Sequence, residues 1–200
     1  MSLRIQNPAR AEDFAFYEHV YGVVDFTDKT VLDIGADVGS TADYFLQKGA
    51  HDIFAVEGSD SRFQQLKANI GAILLDPDFQ VVKPIRFQVD SPEILAGWFY
   101  MFMPDVVKYH LDTPGEYFEK YLSDLPPQCL QLVSEYLVEI HTRPTARRLI
   151  EHFRQAGFRL VVDNLWAPPN TSVAYFQQKK SHQHPLETLA PSPVVAPAPV

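Results

Sequence analysis

The chain has one cysteine, Cys129, in 200 residues. A single thiol excludes an intramolecular disulfide framework and a cysteine-based zinc site. No apolar run approaches the ~20 residues that cross a bilayer. The first residues, Met1-Ser2-Leu3-Arg4-Ile5-Gln6-Asn7-Pro8, lack the apolar segment of a secretory leader. These absences lead to the expectation of a cytoplasmic protein with no membrane partner. Basic residues are also short: 17 Lys and Arg stand against 25 Asp and Glu, a formal net charge of −8. Phosphate backbones are held by Lys and Arg, so nucleic acid is disfavoured as a partner.

What is present is ordinary in composition, with 46% hydrophobic and 21% charged residues, and long enough for one α/β domain with a sizeable core. The organising stretch is Thr30-Val31-Leu32-Asp33-Ile34-Gly35-Ala36-Asp37-Val38-Gly39-Ser40. An apolar run ends in Asp33 and breaks into a glycine-spaced turn. A helical pattern follows from Thr41 to Lys48 and stops at Gly49. A second apolar run, Asp52 to Val56, ends in Glu57. Strand, tight loop, helix and strand make the front of a βαβ unit. The glycines let backbone approach a ligand, and the helix N-terminus favours an anionic group. A carboxylate about twenty residues on, at the tip of the second strand, is placed for the hydroxyls of a ribose.

The glycine spacing selects among nucleoside cofactors. The dinucleotide fingerprint is G-x-G-x-x-G, but here the middle glycine is absent and Asp37 stands in the loop, with Asp33 just before it. Two carboxylates would repel a pyrophosphate and suit a ligand carrying an amino group and a sulfonium, which points to S-adenosyl-L-methionine. The alternative is a βαβ unit that binds NAD, as in an oxidoreductase, or no nucleotide.

The segment VLDIGADVGSTADYFLQKGAHDIFAVEGSDSRFQQLKANI resembles the cofactor-binding half of class I methyltransferases, and in detail the FkbM-type group. The residues that carry this resemblance are the loop, Glu57, and the following Phe63-x-x-Leu66-x-x-Asn69 pattern. It covers roughly Lys29 to Gln178, loosely between Leu75 and Met103. The resemblance implies a cofactor site of Asp33, Gly35, Ala36, Asp37, Gly39, Glu57, Gly58, Asp90 and Ser91, with Asp90 near the adenine amine. Asp90 equally suits the N-cap of the helix that opens at Pro92.

Along the chain, Ala11 to Val24 carries Phe14, Tyr17, Val20 and Tyr21 at helical spacing, an amphipathic helix for the sheet edge or the cofactor mouth. Ser61 to Leu74 is a helix broken by Asp76-Pro77-Asp78. Phe79 to Val89 is β-prone but interrupted by Pro84, giving one bent strand or two short ones. Pro92 to Met103 is an aromatic-rich helix. It reads as buried against the sheet, or as an apolar patch serving a substrate pocket or a homodimer. Strands follow at Pro104–Asp112 and within Leu130–Ile140, separated by a helix from Tyr117 to Leu125 that Pro126-Pro127 ends. Pro144 opens a helix through Gln155 that Gly157 stops. Phe158 to Asn164 and Ser172 to Gln177 form a terminal antiparallel pair. The expected fold is a doubly wound, seven-stranded, mostly parallel α/β sheet with an antiparallel last strand, the Rossmann-like methyltransferase fold. It fills residues 1–180. Residues 181–200, rich in Pro and Ala, have the composition of a disordered tail.

Ligands of an open α/β sheet sit beyond the strands' C-terminal ends. His110 and Asp112 end one strand there, and Glu139 and His141 end the next. Each pair alternates by two and so points to one side of its strand. Methyl transfer often needs a base for the acceptor's proton, which His or a carboxylate supplies. The four residues also have the chemistry of a divalent-metal site, though no metal is assigned. Glu139 and His141 pairing with each other or with Arg143 is the plainer reading. FkbM-type chains resemble this region, with a Lys-x-Asp-x-Glu-Gly run at the fourth strand. His110 replaces the usual acid, and Asp112-Thr113-Pro114-Gly115 carries an insertion. The expected activity is S-adenosylmethionine-dependent O-methylation of a small hydroxylated acceptor. The alternative is a binding or protein-interaction domain that keeps the fold without catalysis.

Overall fold

The structure is a computed structural model that describes residues 10–71, 81–111, 119–140, 143–163 and 172–179. Seven strands form one sheet: β1 (Thr30–Ile34), β2 (Asp52–Glu57), β3 (Val82–Arg86), β4 (Val106–Tyr109), β5 (Glu135–Ile140), β6 (Phe158–Asp163) and β7 (Ser172–Gln178). Their spatial order is β3-β2-β1-β4-β5-β7-β6. The pairs from β3 through β5 are parallel, while β7 runs antiparallel to both β5 and β6. The expected doubly wound, mostly parallel sheet is what the chain forms. Its last strand is antiparallel and slots between β5 and β6.

The central strands are buried on both faces because helices cover both. Among the described residues seven helices supply the covering: α1 (Arg10–Tyr21), α2 (Ser40–Gln47), α3 (Asp60–Gly71), α4 (Pro92–Phe102), α5 (Glu119–Asp124), α6 (Pro127–Leu130) and α7 (Arg143–Gln155). Strand alternation sorts side chains between two cores. Leu32, Ile34, Val107, Tyr109, Tyr136 and Val138 pack with Leu95, Phe99 and Phe153 from α4 and α7. Val31, Val106 and Leu137 pack with Tyr21, Tyr44, Phe45 and Leu66 from α1, α2 and α3. The intervening positions on this second face are polar and buried: Asp33, Lys108, Glu135 and Glu139. Isolated buried charges are costly, so each needs a partner, and those partners build the site.

Local structure departs from the sequence reading in a few places. Pro84 lies inside β3, one unbroken strand. It is tolerated because β3 is the sheet edge and pairs only with β2. Pro127 opens the short α6 instead of only ending α5, since proline's fixed φ suits a first helical position. The aromatic helix α4 buries one face against the sheet, as one reading expects, and leaves apolar side chains exposed on the other. Leu95, Trp98 and Phe99 are buried, while Tyr100, Met101 and Met103 are exposed. Among the described residues no helix is long and apolar enough to cross a membrane. The Asp76-Pro77-Asp78 break, the Asp112-Thr113-Pro114-Gly115 insertion and the tail at 181–200 lie outside the described residues.

Candidate functional site

The β1–α2 loop turns sharply because three of its residues adopt positive φ: Gly35 (80°), Asp37 (50°) and Gly39 (98°). Aspartate tolerates this conformation better than most residues. The backbone N–H groups of Gly35 and Ala36 both donate to the Val56 carbonyl, each at 2.9 Å. Gly35 also rests against the next strand, where a Cβ would lie 1.6 Å from the His110 carbonyl oxygen. The quoted Leu66 and Asn69 of α3 have a role here. Asn69 Nδ2 donates to the Val38 carbonyl at 2.8 Å, and Leu66 lies where a Cβ on Gly39 would go.

Glu57 closes the loop from the side of β2. Its Oε2 accepts from the Asp37 backbone N–H at 3.0 Å and its Oε1 from that of Ser59 at 2.7 Å. The residue is only 6% exposed. Each carboxylate oxygen accepts more than one hydrogen bond, so both can also take hydroxyls from an occupant.

A cavity of about 500 Å³ opens beside this loop, a volume suited to a small ligand or nucleoside cofactor. Of the residues expected at the site, Gly35, Ala36, Asp37, Glu57, Gly58, His110 and Glu139 line it. Asp33, Gly39, Asp90 and Ser91 do not. Gly39 stands behind the loop. Asp90 is exposed, and Ser91 is the N-cap of α4, its Oγ accepting from Ile94 N at 3.4 Å. At this end the lining passes to Phe87, Gln88 and Val89. Asp112 and His141 lie outside the described residues. Among those described, no group of three or more His, Cys, Asp or Glu is arranged to hold a metal ion.

The loop's electrostatics differ from the sequence expectation of two unbalanced carboxylates. Asp33 is fully buried, and its Oδ2 accepts from the Thr41 hydroxyl. Its Oδ1 is 3.1 Å from the ammonium of Lys108, the cross-strand partner of Asp33 in the β1–β4 register. The angle there is too poor for a hydrogen bond, so Oδ1 makes none. Lys108 Nζ instead donates to the Gly35 carbonyl at 2.7 Å. Asp37 in turn faces Arg62, with Nε 3.4 Å from Oδ1. Both acids thus have a cation beside them, whereas the Glu57 carboxylate accepts from two backbone N–H groups. Lys108 is a cavity residue that the sequence reading does not assign to the site. Its signals there are a charge amid the apolar Val106, Val107 and Tyr109, and its match to the lysine of the Lys-x-Asp-x-Glu-Gly run whose acid His110 replaces.

On the side of β4 and β5, His110 and Glu139 come together as their alternation suggested, His110 Nε2 lying 3.3 Å from Glu139 Oε2. Glu139 Oε1 accepts from the Tyr21 hydroxyl at 2.7 Å. Burial, and then the adjacent Glu139 charge, push the Tyr21 phenol well above its ordinary pKa of 10, so it stays a donor. Tyr17 stacks on Tyr21 with ring centroids 5.7 Å apart, and Phe16 and Tyr17 line the cavity. Helix α1 therefore covers the mouth with aromatic side chains and anchors the carboxylate of the His–Glu pair. The arrangement offers a buried carboxylate at the cavity wall, a close-approach glycine loop, and an imidazole paired with a second carboxylate.

No protein-family model and no curated protein matches the chain. Solved structures do. The chain is similar to a Streptococcus agalactiae protein of the NADB-Rossmann superfamily, with TM-score 0.61 and 14% identity over 92% of this chain and 73% of that one. It is similar to magnesium protoporphyrin IX methyltransferase from Synechocystis PCC 6803 with bound S-adenosylmethionine, with TM-score 0.59 and 12% identity over 85% and 79%. Fibrillarin from Aeropyrum pernix with natively bound S-adenosyl-L-methionine gives TM-score 0.53 and 14% identity over 76% and 68%. At such identities the likeness establishes the fold, which is that of class I methyltransferases.

Proposed function

We propose that the protein binds S-adenosyl-L-methionine in this cavity and methylates an oxygen of a small hydroxylated acceptor, as an FkbM-like member of the class I methyltransferases. The observation that carries the reading is Glu57, a buried carboxylate at the tip of β2 that faces the cavity and is oriented by two backbone N–H groups. It has lone pairs to spare for a vicinal diol. Gly35 and Ala36 bring backbone to the cavity wall, and Gly58, Gln88 and Val89 border the side where a base would lie. Bound there, the cofactor supplies a methyl group on a sulfonium. His110, held against Glu139, is the group that takes the acceptor's proton. Glu139 orients the imidazole and stabilises its charged form, and Tyr21 holds Glu139. The NAD alternative is disfavoured because the loop lacks the middle glycine of the dinucleotide fingerprint. The net charge of −8 favours a small acceptor over a nucleic acid.

Calorimetry tests the cofactor directly. S-adenosylhomocysteine is expected to bind and NAD not to. Glu57→Ala removes hydrogen bonds to a charged acceptor worth roughly 1.5–3 kcal/mol, so affinity for S-adenosylhomocysteine should fall about tenfold or more. Undiminished affinity in a folded variant would remove Glu57 from the ribose site.

A further inference from the structure

Resting on that cofactor reading, we infer that Lys108 binds the α-carboxylate of the cofactor's aminoacyl end and so makes the site selective for cofactors that carry one. Lys108 stands in the middle of β4, its side chain 2% exposed, yet it lines the cavity. An ammonium has three N–H donors. Lys108 spends one on the Gly35 carbonyl and makes only an ion-pair contact, outside hydrogen-bond geometry, to Asp33 Oδ1. Donor capacity remains, at a desolvated position where a charge-assisted hydrogen bond is stronger than in water.

The placement fits the length of the cofactor. Glu57 ends β2, and Lys108 lies in β4; β1 runs between those two strands. A nucleoside whose ribose sits on Glu57 therefore extends its other end across the β1 loop toward β4. Around Lys108 the lining is Thr41, Gly35, His110 and Glu139. Among the described lining residues the permanent cations are Lys108 and Arg62, and Arg62 lies by Asp37. A carboxylate arriving there meets the ammonium. The cofactor's own ammonium would instead be repelled by it and is directed toward the Glu139 side. Lys108 thus sets which way round the aminoacyl group lies, and with it the direction in which the rest of the ligand faces His110.

The test compares two ligands that differ by the carboxylate alone, S-adenosylmethionine and its decarboxylated form, by titration calorimetry at equal ionic strength. The wild type should bind S-adenosylmethionine about tenfold more tightly or better. Lys108→Met should bring the two affinities within about threefold, with the loss falling on S-adenosylmethionine. Removing the lysine leaves Asp33 buried without its counter-charge, so the comparison is repeated in Lys108→Met with Asp33→Asn, which keeps an acceptor for Thr41 without the charge. A preference for the carboxylate that survives in a folded variant overturns the inference. So does a wild type that binds both ligands equally. A wild type that binds neither overturns the cofactor reading beneath it, a distinguishable result.

Discussion

Gly35→Ala is expected to cost about 3 kcal/mol or more of stability, out of a total of roughly 5–15 kcal/mol for a domain. The reason is geometric. The added Cβ would sit 1.6 Å from the His110 carbonyl oxygen, which is main chain and cannot rotate away. That stretch is itself tied down, since the His110 backbone N–H donates to the Ile34 carbonyl at 3.0 Å. The ends of β1 and β4 would have to separate, taking the Lys108–Gly35 bond with them, on top of the strain of alanine at φ 80°. Two other glycines grade the effect. At Gly39 the obstacle is Leu66 Cδ1 at 2.8 Å, the movable end of a side chain, so Gly39→Ala should cost about 1–2 kcal/mol, chiefly from its positive φ. At Gly58 the nearest atom is 3.4 Å away, an ordinary contact, and alanine should be within about 0.5 kcal/mol of wild type. Urea unfolding of the three variants would show this order. Equal costs would mean that the loop does not rest on β4 as described.

The second large effect is expected at His110. His110→Ala should lower methyl transfer to an identified acceptor by about 10²–10⁴-fold, the range for a lost proton acceptor. Affinity for S-adenosylhomocysteine should change less than about threefold, because Glu57 and the glycine loop come from other strands. Glu139→Gln should produce a smaller loss in the same direction, since a neutral amide still accepts from Tyr21 but stabilises an imidazolium less. Full turnover in His110→Ala would rule out the imidazole as base and turn attention to Glu139 and to Asp112.

The parts that were legible in the sequence are those written locally. Val31, Leu32 and Ile34, and Ile53 to Val56, announce buried parallel strands by their apolarity, and Gly35, Gly39 and Gly49 mark turns that need positive φ. Glu57 is identified by its position at a strand tip. The residues that escaped depend on pairings distant in sequence. Lys108 becomes a cavity residue because the β1–β4 register sets it opposite Asp33. Tyr21 matters because its helix crosses to a carboxylate 118 residues away. Asp90 and Ser91 were displaced by a boundary: β3 ends at Arg86, so by Asp90 the chain has left the cavity, and Ser91 has become a helix cap. The two loop acids illustrate a further limit. Their negative charge is visible in the letters, whereas the cations that balance it, Lys108 and Arg62, are assigned to them only by the fold.

The place of β7 has a consequence for how the protein is made. Strand β5 is complete at Ile140, but its second neighbour is not β6, the next to be synthesised. It is β7, which ends at Gln178. While the chain is emerging from the ribosome, one flank of β5 has no strand beside it until β7 has been added. Strand β6 has nothing to pair with either, because its only neighbour in the sheet is the same β7. An open edge of apolar strand is a template for pairing with other chains. A nascent chain released before residue 172 would carry such an edge next to Glu139, so translation must run through β7 before the sheet can close.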